Sequence, residues 1–310
     1  MLPSDRIYTM KAIVNQIRSA FPEMEILENE PMKKHCSFCT GGPVPALLMP
    51  QNEEILLQLL DLLSGTGAQY YILGNGTNVV FSDEGSACFV ISTENLQGLT
   101  LADENCISAQ AGVTLSRLAS FAQEHSLTGL EFASGIPGSV GGGILMNAGA
   151  YGGEMKDCTV AVRCCSKDGR TIREYSGEDC GFRYRHSMFQ EGEQVILSAV
   201  FRLRQGEKGD ISAKMKELNI RRRDKQPLNL PSAGSAFRRP AGHYAAALIE
   251  QCGLKGTRIG GAQVSEKHAG FIVNTGTATT ADLEALLTHV STTVKEKTGI
   301  DLQREIILIP

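Results

Sequence analysis

The chain has 310 residues, 33 of them glycine, no tryptophan, and a formal net charge of −4. That length suits about two domains of roughly 150 residues, with a core that needs no disulfide or metal staple. The acidic balance excludes a generally basic nucleic-acid footprint, and the longest apolar run, Tyr244 to Ile249, is far too short to span a membrane. Asp5, Arg6 and Lys11 interrupt the N-terminus, so no secretory signal is expected and a cytoplasmic protein is. Nine cysteines at irregular spacing fit reduced thiols. Cys36 and Cys39 form a CxxC, but no second pair follows at zinc-site spacing. They read as two small thiols at a turn, and no metal is expected.

Ile7, Met10, Val14, Ile17 and Phe21 recur at helical spacing after Ser4, an expected N-cap, and Pro22 stops the helix. Glu23 to Lys34 reads as charged and loop-like. A second helix opens at Asn52, carries Leu56, Leu59, Leu60 and Leu63, and ends at Gly65 and Gly67. Tyr70 to Leu73, Val79 to Phe81 and Ala87 to Ile91 read as strands. Thr114 caps a third helix through Leu115, Leu118, Ala119 and Ala122. Asp168-Gly169 is a strong hairpin signal between strands Cys158 to Cys165 and Thr171 to Tyr175. Gln194 to Arg204 is a further strand. The polar stretch from Gln205 to Asp210 is a candidate domain boundary. Helices at about 211–224, 244–251 and 281–297 follow, and Leu302 to Ile309 closes the chain as a strand. The fold class is α+β, in two or three lobes.

Two glycine loops stand out. Gly74-Asn75-Gly76-Thr77-Asn78 follows a strand directly, and glycines there let backbone N–H groups approach a phosphate. Glu94 lies where a Rossmann ribose-binding acid would sit, but the third glycine is missing. Val79-Val80-Phe81 leaves no room for the crossover helix, so a Rossmann unit is excluded; a plain tight turn remains open for this loop alone. The second loop runs from Gly135 to Gly153 and holds eight glycines in 19 residues. Ile136, Val140, Ile144, Leu145 and Met146 are interspersed, unlike a polar linker. Small residues alone build a poor core, so a bulky ligand against this backbone is the favoured reading.

The string GLEFASGIPGSVGGGILMNAGAYGGEM, Gly129 to Met155, resembles the signature of the UDP-N-acetylenolpyruvoylglucosamine reductase (MurB) family. LGNGTNVVFSD (Leu73 to Asp83), FRYRHS (Phe182 to Ser187), KQPLNLPSAGSAFRRP (Lys225 to Pro240), GLKGTRIGGAQVSEKHAGFIVN (Gly253 to Asn274) and LQREIILI (Leu302 to Ile309) resemble further family segments, in the family's order. The resemblance covers nearly the whole chain. It implies a two-subdomain FAD-binding module of the vanillyl-alcohol-oxidase/PCMH type plus a C-terminal α+β substrate-binding domain. The expected boundaries are 1–34 for an N-terminal helix and lead-in, 35–85 and 86–205 for the two FAD-binding subdomains, and 211–310 for the substrate-binding domain.

The implied reaction is reduction of UDP-N-acetylglucosamine enolpyruvate to UDP-N-acetylmuramate in peptidoglycan precursor synthesis, with noncovalent FAD and with NADPH as co-substrate. No nucleic-acid or membrane partner is implied. By resemblance Ser235 protonates the intermediate, and Arg185 and Glu305 polarise the substrate carboxylate. The cofactor-binding set is Gly74, Asn75, Gly76, Thr77, Asn78, Ser134, Gly135, Ile136, Pro137, Gly138, Ser139, Gly141, Gly142, Asn147, Ala148 and Gly149. The substrate-binding set is Lys225, Arg239, Gln263 and Tyr184.

The chemistry makes sense of those residue types. Hydride addition to an enol ether builds enolate charge on the attached carboxylate, which a bidentate arginine stabilises where it develops. A serine hydroxyl protonates the neighbouring carbon only if a nearby charge, Arg238, Arg239 or Lys225, stabilises its alkoxide. Glu305 takes part only if it is protonated or water-linked, which burial beside Ile306 and Ile307 would favour. Read singly, Glu305 is a solvent-facing strand position, Arg185 a surface charge, Ser235 a turn hydroxyl, and His186 and His268 structural histidines. Three departures from the family pattern follow. The CxxC replaces a threonine and a polar residue, and Arg239 replaces an asparagine of one branch. No tyrosine-loop insertion precedes Ser235, as in the shorter type II enzymes.

Overall fold

The local signals for the second helix act through three- and four-residue contacts, and a computed structural model of the chain realises them. The model describes residues 3–310, with side chains from Met10 onward. The helix runs Glu53–Thr66; the Asn52 side chain accepts from the Ile55 N–H, and Gly67 closes the far end in the left-handed region at φ 69°. Leu56, Leu59, Leu60 and Leu63 are its buried stripe. Thr114 likewise caps the helix Leu115–Glu124, accepting from the Arg117 N–H. The first helix starts at Pro3, which puts Ser4 inside it. The cap expected of the Ser4 side chain, and the packing of Ile7, lie outside the described residues.

By contact density the chain divides into two units, each discontinuous in sequence. One comprises Met1–Asn29, Pro45–Asn75 and Ala87–Asn219; the other Glu30–Val44, Gly76–Ser86 and Ile220–Pro310. The helix Lys208–Lys225 runs through the division at Asn219 and Ile220.

The first unit contains two sheets. A four-stranded sheet has the order Glu25–Pro31, Pro43–Met49, Phe89–Ser92, Tyr70–Leu73. Leu47 pairs with Val90, and Tyr70 with Phe89, both in parallel. Parallel strands buried on both faces explain why Phe89–Ser92 is wholly apolar save its last residue. A five-stranded antiparallel sheet has the order Ile172–Ser176, Thr159–Ser166, Gln194–Arg202, Cys106–Gln110, Leu99–Asp103. Its first two strands form the hairpin read from Asp168-Gly169, with Gly169 at φ 72°.

The second unit is built on an antiparallel sheet ordered Ser232–Ser235, Phe271–Asn274, Ala262–Val264, Arg258–Ile259. Val79–Phe81 pairs in parallel with Ile307–Ile309. The helix Thr280–Thr298 begins with a reciprocal cap between Thr279 and Asp282 and buries Leu283, Leu286, Leu287, Val290 and Val294. No helix among the described residues is long and apolar enough to cross a membrane.

Several expectations need correction. Glu23 to Lys34 is not all loop, because Glu25–Pro31 is a strand with no fully buried residue. It carries no hydrophobic alternation because it lies at a sheet edge. The strands Pro43–Met49, Leu99–Asp103 and Cys106–Gln110 were not expected at all. The glycine segment contains a short helix, Val140–Leu145, capped by Ser139. Leu302 to Ile309 is strand only from Ile307, with one bridge between Phe237 and Arg304 before it. The strand from Gln194 ends at Arg202, and Arg204–Gln205 pairs separately with Leu127–Thr128.

Candidate active site

In the first unit, the end of the Tyr70–Leu73 strand meets the glycine-rich segment. A Cβ on Gly74 would collide with the Ser139 hydroxyl, so only glycine lets these loops approach. Ser139 is 1% exposed and caps the helix Val140–Leu145 through a 3.5 Å bond from the Gly142 N–H. The N–H groups of Val140 and Gly141 go to Val113 and Ala111 oxygens at 2.8 and 2.9 Å. Those of Asn75, Gly135 and Ser139 donate to no protein acceptor among the described residues. Gly142 is exposed and meets only the Ser139 hydroxyl at 3.6 Å, whereas Gly143 and Gly149 are closely backed by protein.

Asn147 is fully buried with φ 42° and ties this segment together. Its Nδ2 donates to Glu154 at 3.0 Å and to the Arg183 carbonyl at 2.9 Å, and its Oδ1 accepts from the Lys156 N–H at 3.0 Å. Asn147 thereby holds the Arg183–His186 turn against the glycine segment. Arg185 sits on that turn at φ 53°, a left-handed conformation that a residue with a Cβ adopts only when its surroundings impose it. Its guanidinium donates to the Gly149 carbonyl at 3.1 Å and lies 5.1 Å from the centre of the Tyr184 ring. Arg185, Tyr184 and the expected flavin-loop residues Asn147 and Gly149 are thus brought together.

In the second unit, a Cβ on Gly76 would collide with the His35 carbonyl, and the Gly76 oxygen accepts from the Ser37 N–H at 2.9 Å. The N–H groups of Gly76 and Thr77 donate to no protein acceptor among the described residues. The Cys36–Cys39 turn therefore backs the loop. Cys36 is 4% exposed, and burial, with Cys39 nearby, pushes its thiol up to about 12. A group with that environment packs as an apolar residue.

Asn78 continues the loop into the far end of the chain. Its Nδ2 donates to the Glu305 carbonyl at 3.1 Å, and its own carbonyl accepts from the Ile307 N–H at 2.9 Å. The Glu305 N–H in turn donates to the Ala236 carbonyl at 3.0 Å. Ser235, next to Ala236, pairs with Phe271 after an irregularity in the register at Gly234, φ 79°. Asn78, Glu305 and the residue beside Ser235 are thus linked directly by hydrogen bonds. That link had no sequence signal, because its members lie in three distant segments.

The expected substrate residues are more dispersed. Lys225 is exposed in the last turn of its helix. Arg239 stacks 4.5 Å from the centre of the exposed Tyr244 ring and, with Arg238 and His243, lines a pocket of about 380 Å³. The Arg238 Nε is buried without a partner. Gln263 pairs with Val273, the partner of Ser232, and donates to the Gly256 carbonyl at 3.2 Å.

The loops fit a flavin dinucleotide. They offer backbone donors without protein acceptors among the described residues and one open glycine face. Residues 44–174 match the profile of an FAD binding domain, and residues 226–309 that of the UDP-N-acetylenolpyruvoylglucosamine reductase C-terminal domain. The UDP-N-acetylenolpyruvoylglucosamine reductase of Caldanaerobacter subterraneus is 45% identical over 297 residues, covering 96% of this chain and 98% of that one. That of Syntrophomonas wolfei is 43% identical, covering 95% and 98%. The crystal structure of UDP-N-acetylenolpyruvylglucosamine reductase (MurB) from Thermus caldophilus superposes with a TM-score of 0.80 at 34% identity, covering 93% of this chain and all of that one. With its flavin-binding module and its C-terminal α+β domain, the chain belongs to the UDP-N-acetylenolpyruvoylglucosamine reductase family of FAD-dependent oxidoreductases.

Proposed function

We propose that the chain reduces UDP-N-acetylglucosamine enolpyruvate to UDP-N-acetylmuramate with electrons from NADPH, in the cytoplasm. In this reading residues 35–85 and 86–205 form the two flavin-binding subdomains and 211–310 the substrate-binding domain. Those subdomains would hold FAD, which would supply, at NADPH's expense, the hydride for the enolpyruvyl double bond. The Ser235 hydroxyl gives the proton to the adjacent carbon, so hydride and proton together saturate the bond. Arg185 and Glu305 polarise the carboxylate on which negative charge builds, and the Gly149 contact orients the arginine. Lys225 and Arg239 answer the diphosphate, and Gln263 and Tyr184 complete the sugar-nucleotide contacts.

The observation that carries this reading is the link from Asn78 through Glu305 to Ala236, which joins an expected flavin loop to Glu305 and to the residue beside Ser235. The test is an absorption spectrum of the purified protein. A flavin band, bleached anaerobically by NADPH and restored by the enolpyruvyl sugar nucleotide, is expected. A protein that carries flavin but is recoloured only by oxygen overturns the substrate assignment.

A further inference from the structure

We propose that His268 is a positioning residue for the step that uses Ser235 and Glu305. Its unprotonated Nδ1 holds the Gly270 end of the central strand, against which the Ser235 segment is aligned. The inference rests on the reading of Ser235 and Glu305 given above.

The geometry is a relay of hydrogen bonds within the second unit. The Gly270 N–H donates to His268 Nδ1 at 3.1 Å, so that nitrogen carries no proton. The Gly270 carbonyl accepts from the Ala236 N–H at 2.8 Å, and the Ala236 carbonyl accepts from the Glu305 N–H at 3.0 Å. One side chain thus anchors the strand end to which Ala236 bonds, and through Ala236 the backbone of Glu305. The other end of the same loop is equally fixed. Ser265 is 3% exposed, and its hydroxyl accepts from the N–H groups of Lys267 and His268 at 3.2 and 3.3 Å. Lys267 Nζ donates to the Arg223 carbonyl at 2.6 Å, in the final turn of the helix that carries Lys225. The loop therefore braces a catalytic segment and a substrate-binding helix end at once.

An imidazolium has no acceptor nitrogen, so protonation would break the Gly270 bond. The charged groups that act on His268 are Glu250 on the neighbouring helix, which favours protonation, and Lys255 and Lys225, which oppose it. Burial, against the Phe271 ring 5.1 Å away, is the largest influence and holds the imidazole below its ordinary value. The brace is therefore intact at neutral pH and released in acid.

The test measures the two half-reactions of the FAD holoenzyme separately by rapid mixing. NADPH should bleach the wild type, H268A and H268N at equal rates. At about pH 8, H268A should be reoxidised by the enolpyruvyl substrate about tenfold more slowly, the effect of a displaced reacting group. H268N should recover the rate, because an asparagine oxygen accepts from the N–H two residues on. As the pH falls below the ordinary imidazole value, the wild type should lose rate through this group while H268N does not. Wild-type reoxidation in H268A, or an unchanged acid limb in H268N, overturns the proposal; if H268A does not fold, the acid limb of H268N decides alone. S235A distinguishes the two levels. S235A slow with H268A unaffected overturns the positioning role alone, and S235A reoxidised at the wild-type rate overturns the reading beneath it as well.

Discussion

The Asn78 side chain donates to the Glu305 carbonyl at 3.1 Å, joining residues 227 positions apart in the sequence. Asn78 also closes the parallel pairing of Val79–Phe81 with Ile307–Ile309, so one residue ends an expected flavin loop and fixes the strand that follows Glu305.

Asn78→Ala should therefore slow reoxidation by substrate more than reduction by NADPH. Loss of a single such bond costs about 1 kcal/mol, or a few-fold in rate if it acts only in that step. Rapid-mixing traces of both half-reactions check this; equal slowing of the two would mean that the bond serves the flavin site alone.

Ser235→Ala should bind flavin and accept electrons normally while reoxidation by substrate falls by about 10²- to 10⁴-fold, the range lost with a positioned proton donor. Single-turnover absorbance at the flavin band is the measurement.

Gly74→Ala should lose flavin, because its Cβ would collide with the buried Ser139 hydroxyl. Combining it with Ser139→Gly should recover part of the flavin content, since glycine caps a helix nearly as well as serine. Flavin per protein, measured by absorbance after gel filtration, reports both outcomes.

Thiol labelling of the native protein at about pH 8 should modify Cys39 well before Cys36. Cys39 is exposed, whereas Cys36 is buried with its thiol near 12, leaving about one molecule in 10⁴ as thiolate. Peptide mapping after brief alkylation checks the order.

Asp282 accepts backbone N–H bonds from Thr279 and Gly261, which hold its carboxyl below the ordinary carboxylate value. A depressed folded value gives stability that is present above the unfolded value and is lost as pH falls through the folded one. Asp282→Ala should cost about 1 kcal/mol near neutral pH, a typical cap loss, and less in acid. Denaturant melts at two pH values measure the difference.

The signals legible in the chain were those that act over short spans. Asn52 and Thr114 cap helices three residues on, and Asp168-Gly169 turns a two-stranded hairpin, because each involves atoms that neighbouring backbone brings together. Glu25–Pro31 was not legible because an edge strand with exposed charges lacks alternation. The Val140–Leu145 helix was not, because glycines at three of its six positions oppose helix formation, and its first N–H groups go to Val113 and Ala111 instead.

By itself the sequence determined the membership and the cofactor class and nominated a roster of loops, since the ordered motifs span nearly the whole chain. The excess of glycine it displayed resolves into different uses: Gly74 and Gly76 permit close backbone approach, and Gly142 leaves a face open. Only the tertiary structure decided which members of that roster touch. Asn78 reaches Glu305, 227 positions away, and Gly149 holds Arg185, 36 positions away. Hydrogen bonds between segments far apart in the sequence arise from sheet pairing and burial, which no local pattern of side chains encodes.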